Sequence, residues 1–239
     1  MQIKSQKAIL WPLYALTLFI STSLIAWHVL AQLDFAYPQA YKLLEIDKHI
    51  SRFAPQNRYR KQFELTSQEE RFQLFSEIVT GIQNNGKGLV TITYSHAGKR
   101  STLLRKAEVI HLQRVATLVD RFYWVGMASI VLSIILFLLI RQIKSPLPKP
   151  RQVIAGTFFL ALSGIATFII IGPRKLFQWF HTQLFPEGDQ WFFYYQDSLM
   201  TTLMKAPDLF GFMGALLGIV TLLLYTCLLY FSFKSFRRL

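Results

Sequence analysis

The sequence contains few charged residues and a single cysteine. Charged residues make up 16% of its 239 positions and hydrophobic residues 52%, whereas a soluble domain usually carries about 25% charged residues. The charges are missing from long runs that alternate with polar stretches, as expected for a chain exposed to both lipid and water. Cys227 cannot form an internal disulfide, and we interpret it as a small residue that fills space within an apolar run.

The motifs of nucleotide chemistry and of the familiar hydrolases are also absent from the sequence. It contains no glycine-rich phosphate loop, no Gly-x-Ser-x-Gly turn, no His-Glu-x-x-His motif and no internal repeat. The net charge of +13 is compatible with nucleic-acid binding, but a nucleic-acid-binding domain does not need long apolar runs. We therefore expect no nucleic-acid partner and assign the basic residues to the flanks of membrane helices.

Four apolar runs are long enough to cross a bilayer as helices, because about 20 residues span its hydrocarbon core. The predicted transmembrane helices occupy residues 9–31, 122–140, 153–171 and 209–233. The first run could instead be a secretory signal, since Val29-Leu30-Ala31 resembles a cleavage site. It is longer than the ~7–15 apolar residues of a signal core, which favours a retained helix.

Positive charges predict the orientation of these helices. Lysine and arginine are concentrated in three short segments: the amino-terminal part of 1–31, the proline-containing link 141–152 and the tail 234–239. Because short cytoplasmic segments are enriched in these residues, we predict that both termini are cytoplasmic. Segments 32–121 and 172–208 then lie on the outer face of the cytoplasmic (inner) membrane.

The first outer segment has the patterns of a small folded domain. Ser67 and Glu70 form a capping box before an apolar stripe, which predicts a helix over 67–83. The run 89–94 is rich in β-formers and predicts a short strand. From about Thr102 the helical period returns and is expected to continue towards the second transmembrane helix. We therefore predict a mainly α membrane protein with four transmembrane helices and a small α+β extracytoplasmic domain.

Two of the five histidines fall at the same predicted depth of the membrane. His111 precedes the second transmembrane helix by about ten residues, and His181 follows the third by about ten. A titratable pair at the outer headgroup level is a candidate catalytic site, because histidine suits proton transfer near neutral pH. Glu108 shares a helical face with His111 and could orient its ring, although a plain surface pair explains the same spacing.

The second outer segment, 172–208, is aromatic around His181. Such a segment favours the membrane interface, where Trp191 and Asp189 could support the site. A groove between this segment and the helix of His111 could admit a lipid chain; the alternative is a plain interfacial anchor.

The sequence gives weaker support for a catalytic role of the other three histidines and for a metal site. His28 could join the site from the end of the first transmembrane helix, whereas His49 and His96 are expected at the surface. Carboxylates and histidines near the site could in principle bind a metal, but Glu-x-x-His occurs once, whereas di-metal bundles need it twice. We expect no metal ion and no cofactor.

Two stretches of the chain resemble the signatures of one bacterial membrane protein family. The first, residues 108–115, resembles the pattern Glu-x-x-His-Met/Leu-x-Asp-Val. The second comprises residues 180–185 and 188–191 and is continued by Asp197 and Pro207. With the four-helix layout, these stretches resemble the integral membrane family that includes the lipoprotein intramolecular transacylase.

The resemblance implies an O-to-N acyl transfer within one molecule. The substrate would be a diacylated bacterial lipoprotein, whose sn-2 acyl chain moves to the α-amino group of its own lipidated cysteine and leaves a lyso form. The family's two histidines correspond to His111 and His181. We assign His111 as base, held by Glu108, and His181 as acid or oxyanion partner; the reverse assignment and an acyl-histidine also fit. Arg114 stands where the family has an aspartate, which puts the support of His111 in doubt.

Two other functions fit the same sequence. A non-enzymatic membrane assembly or binding protein would use the outer domain as its docking surface and would tolerate the loss of either histidine. A metal-dependent lipid hydrolase would lose its activity in the presence of a chelator.

Overall fold

The computed structural model describes residues 2–96, 98–143, 147–185, 188 and 190–237. The helices and strands follow in the order α1 (Gln2–Gln32), α2 (Tyr37–Leu43), α3 (Ile46–Phe53), α4 (Gln68–Gln83), β1 (Thr93–His96), β2 (Lys99–Thr102), α5 (Lys106–Gln142), α6 (Pro150–Ile171), α7 (Pro173–Leu184), α8 (Leu199–Met204) and α9 (Asp208–Arg237). They form two compact units. The first unit comprises Met1–Val29, Phe122–Ile170 and Ala215–Leu239, and the second comprises Leu30–Arg121 and Ile171–Gly214.

Four helices are long and apolar enough to span a membrane. They are Ile9–Gln32 within α1, Lys106–Gln142, Arg151–Ile171 within α6 and Asp208–Arg237. The predicted mainly helical fold with four apolar helices and a small sheet is thereby confirmed, while the orientation of the termini stays a prediction. With 37 residues, α5 is about 55 Å long, far more than the ~30 Å of hydrocarbon that a bilayer offers. Part of α5 therefore extends beyond the membrane core.

In the first unit, α1 packs against α5 and α9. The buried cluster between these helices consists of Tyr14, Leu18, Leu136, Ile140, Tyr225, Leu229 and Phe236. Hydroxyl groups add specific links inside this apolar packing: the Tyr14 hydroxyl lies 2.6 Å from Ser232 Oγ, and Ser21 Oγ lies 3.3 Å from Ser133 Oγ. Such interhelical hydrogen bonds fix helix pairs in lipid, where apolar burial alone does not favour association.

The second unit is built around α4. Tyr37 stacks on Phe75 with a ring separation of 3.9 Å, and its hydroxyl donates to the Leu203 carbonyl at 2.7 Å, which ties α2 and α4 to α8. The buried Arg71 of α4 is satisfied by four oxygen atoms. These belong to the Asp47 carboxylate (2.6 Å), the Tyr41 hydroxyl (2.7 Å), the Glu64 carbonyl (2.8 Å) and the Thr66 hydroxyl (3.0 Å). A buried guanidinium is tolerated only with such complete hydrogen bonding.

The predicted helix over 67–83 is confirmed by α4, and Ser67 Oγ accepts the Glu70 N–H at 3.1 Å as its amino-terminal cap. The predicted strand over 89–94 is correct only in its last part. Leu89–Thr91 form a 3₁₀ turn after Gly88, which has a φ of 85°, and β1 begins at Thr93. The turn forms because the Thr91 hydroxyl and amide both donate to the Gly88 carbonyl.

Helix α5 begins four residues later than its apolar period predicted. Thr102 still belongs to β2, where it pairs with Thr93, and Lys106 is the first helical residue. The Arg105 amide before it donates to Glu108 Oε2 at 2.6 Å. This side chain thereby satisfies one of the amides that the first helical turn leaves unpaired, as in a capping box.

Candidate active site

His111 and His181 lie next to each other in the second unit. His111 is in the second turn of α5 and His181 is near the end of α7, and their ring centroids are 6.0 Å apart with planes inclined by 26°. Groups from two separate helices thus form one stacked imidazole pair. At this spacing a substrate atom or a single water can contact both rings.

Hydrogen bonding fixes the tautomer of His181. Its Nδ1 lies 2.8 Å from the carbonyl oxygen of Phe177, one turn earlier in α7. A carbonyl only accepts hydrogen bonds, so Nδ1 carries the proton and Nε2 presents a lone pair. Burial lowers the pKa of His181 below its usual value, and the bond to Phe177 acts in the opposite direction. The ring is therefore neutral at pH 7 and has a basic nitrogen to offer.

His111 is buried, and its Nδ1 has no hydrogen-bond partner among the described residues. An unpaired polar nitrogen in the interior is costly unless a water or ligand completes it. A small cavity of about 180 Å³ opens beside this ring. Its described lining consists of Ala107, Ile110, His111, Arg114, Gly188 and Gln190. The orphan nitrogen and the cavity together mark a place where a substrate can bind.

Glu108 was predicted to hold His111, but its described contacts are elsewhere. The fully buried carboxylate accepts hydrogen bonds from the Ser198 hydroxyl and the Arg105 amide, and the Arg105 guanidinium lies 3.5 Å away. None of these contacts joins Glu108 to His111. The carboxylate instead connects the start of α5 to Ser198, whose side chain also caps α8 by accepting the Thr201 amide.

Aromatic rings surround the histidine pair. Phe185 lies 4.8 Å from His111 and 5.4 Å from His181, measured between ring centroids. Phe177 lies 3.9 Å from His181, and Trp191, predicted as a supporting residue, lies 5.2 Å from it. Asp189, the other predicted supporting residue, lies outside the described residues.

The remaining histidines have separate environments. His28 belongs to the first unit, where its Nδ1 lies 2.9 Å from the Tyr123 hydroxyl. His49 was expected at the surface, but it is buried against Phe53 and Tyr195 because α3 turns this face into the core of the second unit. Burial, aided by the nearby positive charge of Lys205, lowers the pKa of His49 to about 4. His96 lies on the hairpin, and its Nδ1 forms a 2.5 Å hydrogen bond with Gln62 Oε1.

Within the described part of the chain, no three His, Cys, Asp or Glu side chains come together in a group that could hold a metal ion. Sequence reasoning missed Phe177 and Phe185 as neighbours of the pair. Both are four residues from His181, so the helical period could have identified them. The hydrogen bond between Glu108 and Ser198 joins residues 90 positions apart, so no local sequence pattern could predict it.

A family model described as lipoprotein intramolecular transacylase Lit matches residues 8–210. No curated protein matches the sequence. Solved structures that match include the membrane-integral lipoprotein intramolecular transacylase Lit from Bacillus cereus, with 16% identity and a TM-score of 0.66 over 98% of this chain and 99% of that chain.

Structures of two variants of the Bacillus cereus protein also match. The variant with a histidine replaced by arginine has 15% identity and a TM-score of 0.65 over 98% of this chain and 92% of that chain. The variant with a histidine replaced by alanine has 16% identity and a TM-score of 0.65 over 98% of this chain and 97% of that chain. At these identities the likeness shows a shared fold.

Proposed function

This chain belongs to the lipoprotein intramolecular transacylase family, and we propose that it moves the sn-2 acyl chain of a diacylglyceryl-cysteine lipoprotein to the α-amino group of the same cysteine. The family resemblance predicted from the sequence is confirmed, and the chain is a multi-pass membrane protein. The observation that carries the catalytic proposal is the stacked pair of His111 and His181 beside a cavity.

The proposed partners are the bilayer and a diacylated lipoprotein held in it. We propose that the protein resides in the cytoplasmic (inner) membrane and that the histidine pair faces the outer side. The distribution of basic residues supports this orientation. The aromatic side chains beside the histidines suit a headgroup-level site, since rings of this kind collect at membrane interfaces.

In the proposed reaction, the neutral amine attacks the carbonyl carbon of the sn-2 ester. The new C–N bond forms, the C–O bond to glycerol breaks, and one proton moves from nitrogen to the departing oxygen. His181 Nε2, whose lone pair is free because Nδ1–H is bound to Phe177, accepts the proton from the attacking nitrogen. The imidazolium then gives it to the glycerol oxygen, so the enzyme returns to its starting state.

In this reaction His111 is proposed to be the hydrogen-bond donor to the leaving group. Its N–H donates a hydrogen bond to the glycerol oxygen that departs, while stacking against His181 keeps both rings near the same ester. Phe185 and Phe177 keep water from the acyl carbonyl, which prevents simple ester hydrolysis. Because amine and ester belong to one molecule, correct orientation alone can contribute roughly 7–11 kcal/mol to the lowering of the barrier.

The test uses the purified protein, reconstituted in lipid, and a synthetic diacylglyceryl-cysteine peptide. The rearrangement leaves the mass unchanged, so tandem mass spectrometry must locate the acyl chain on the α-amino group. His181→Ala and His111→Ala are each expected to slow the reaction by about 10²–10⁴-fold, because each removes a group that handles the migrating proton. His96→Ala is the matched control and should retain the wild-type rate.

Equal rates for wild type and either site variant would remove that histidine from the chemistry. An inactive wild-type protein would contradict the proposed reaction itself. Circular dichroism and thermal unfolding of each variant in detergent distinguish a lost catalytic group from a misfolded chain.

A further inference from the structure

The cavity beside His111 has a cation at its edge. Of the described residues that line this space, Arg114 is the one with a permanent charge; Gln190 adds a neutral amide, and Ala107, Ile110 and Gly188 add no polar side chain. The nearest carboxylate along the helix, Glu108, is not among these lining residues, because it is turned towards Ser198 and Arg105. The cavity is therefore small and, among its described lining residues, mostly apolar with one positively charged side chain.

Helical geometry places Arg114 close to the reacting groups. It follows His111 by three residues in the uninterrupted helix α5, so the two side chains are neighbours on one face, with Cβ atoms about 5–6 Å apart. Arg114 is exposed rather than packed in the core. Because Arg114 also lines the cavity, its guanidinium, which carries five N–H donors, lies beside any molecule bound there.

The proposed acyl transfer has an electrostatic requirement that the roles given to His111 and His181 do not meet. When the amine attacks, the carbonyl π electrons move to oxygen, and a negative charge develops there before the C–O bond breaks. Glu108 has the wrong sign to stabilise this charge, and His181 is engaged with the migrating proton. Such oxyanions are stabilised by hydrogen-bond donors or cations fixed at the site in advance.

We propose that the Arg114 guanidinium is a further catalytic group, which donates a hydrogen bond to the carbonyl oxygen of the migrating acyl ester and stabilises the oxyanion. This role rests on the proposed function. Arginine is suited to it because its planar fork carries five N–H donors and keeps its charge at any physiological pH. Arg114 keeps all its protons throughout the step. The same cation disfavours an ammonium next to it, which helps to keep the attacking amine neutral.

The test compares Arg114→Met, Arg114→Lys and the matched control Arg121→Met, another exposed arginine of the same helix that is not among the described lining residues. Purified, lipid-reconstituted proteins are assayed with the diacylglyceryl-cysteine peptide over a range of substrate concentrations. Loss of an oxyanion donor is expected to lower kcat by about 10²–10³-fold with little change in KM, because the contact strengthens only in the transition state. Arg114→Lys keeps the charge and should recover a large part of the lost rate.

Several results would overturn this role. They are an Arg114→Met variant with a wild-type kcat, a change confined to KM, an Arg114→Lys variant no faster than Arg114→Met, or an equal loss in Arg121→Met. An inactive wild type would instead refute the proposed function and this role with it. Thermal unfolding of each variant reports whether the fold is kept, and the lysine variant tests the charge even if the methionine variant unfolds.

Discussion

The proposed chemistry depends on which nitrogen atom of each histidine is available. The sequence predicts that His111 and His181 lie at similar depth, and the structure brings them together. It does not predict the tautomer, because that depends on a hydrogen bond from Nδ1 to the Phe177 carbonyl in a folded helix. The initial assignment of His111 as base rested on support from Glu108, whose described contacts lie elsewhere. His181 is therefore the better candidate for the base.

The lowered pKa of His181 predicts how the reaction rate depends on pH. The α-amine of the free substrate, with an ordinary pKa of about 7.7–8.0, must lose a proton first, so the logarithm of kcat/KM should rise with a slope of one up to about pH 8. His181 must also be neutral. Because burial lowers its pKa, the change to a slope of two should lie below about pH 6.5, the ordinary value for histidine.

Initial rates of the reconstituted protein between pH 4.5 and 9 measure this profile. A second break above the ordinary histidine value would contradict the assignment. The His181→Ala variant is the control. Its residual rate should still show the change of slope near the pKa of the amine and should no longer show the one at lower pH.

Among the secondary-structure elements, the start of α4 could be predicted from the sequence and the start of α5 could not. The capping box of α4 was visible in the sequence because Ser67 and Glu70 lie three residues apart. The start of α5 was placed too early, because Leu103 and Leu104 continue the apolar period although they precede the helix. An apolar period reports burial, and buried residues of an irregular segment can mimic it.

Glu108→Gln tests whether this carboxylate positions elements or handles protons. The amide replaces a charged acceptor of two hydrogen bonds, so the free energy of unfolding should fall by about 1–3 kcal/mol. Because the carboxylate is not bonded to His111, the rate per folded molecule should fall less than about tenfold, far below the loss expected for a proton-transfer group. Thermal unfolding and the peptide assay measure the two effects separately.

The exposed Glu69 of α4 supplies the matched change, Glu69→Gln, which should alter neither quantity. A Glu108→Gln variant of normal stability whose rate drops as far as that of His181→Ala would make Glu108 a member of the proton-transfer machinery after all.

In the molecule as a whole, hydropathy predicts the four apolar helices but does not predict the structure of the second unit. Charge-free runs of about 20 residues predict membrane helices directly, and all four are present. The second unit depends on long-range contacts such as that of the Tyr37 hydroxyl with the Leu203 carbonyl, 166 positions apart. The burial of His49 is a consequence of this packing, and for that reason it was mispredicted.

The predicted orientation can be tested with single cysteines. In a Cys227→Ser background, Ser95→Cys on β1 should react with a membrane-impermeant maleimide in intact spheroplasts. Lys149→Cys, in the link before α6, should react only after permeabilisation, because basic short segments remain in the cytoplasm. Both side chains are exposed, so burial does not explain a difference. The reverse labelling pattern would place the histidine pair on the cytoplasmic side.

An isotope crossover experiment shows whether the acyl chain moves within one lipoprotein molecule. The reconstituted protein receives an equimolar mixture of two diacylglyceryl-cysteine peptides, one with heavy isotopes in both its sn-2 acyl chain and its peptide, the other without label. Tandem mass spectrometry should find N-acylated lyso products that are entirely heavy or entirely light. Products that combine a heavy acyl chain with a light peptide would contradict transfer within one molecule, and the absence of any N-acylated product would contradict the transacylase activity.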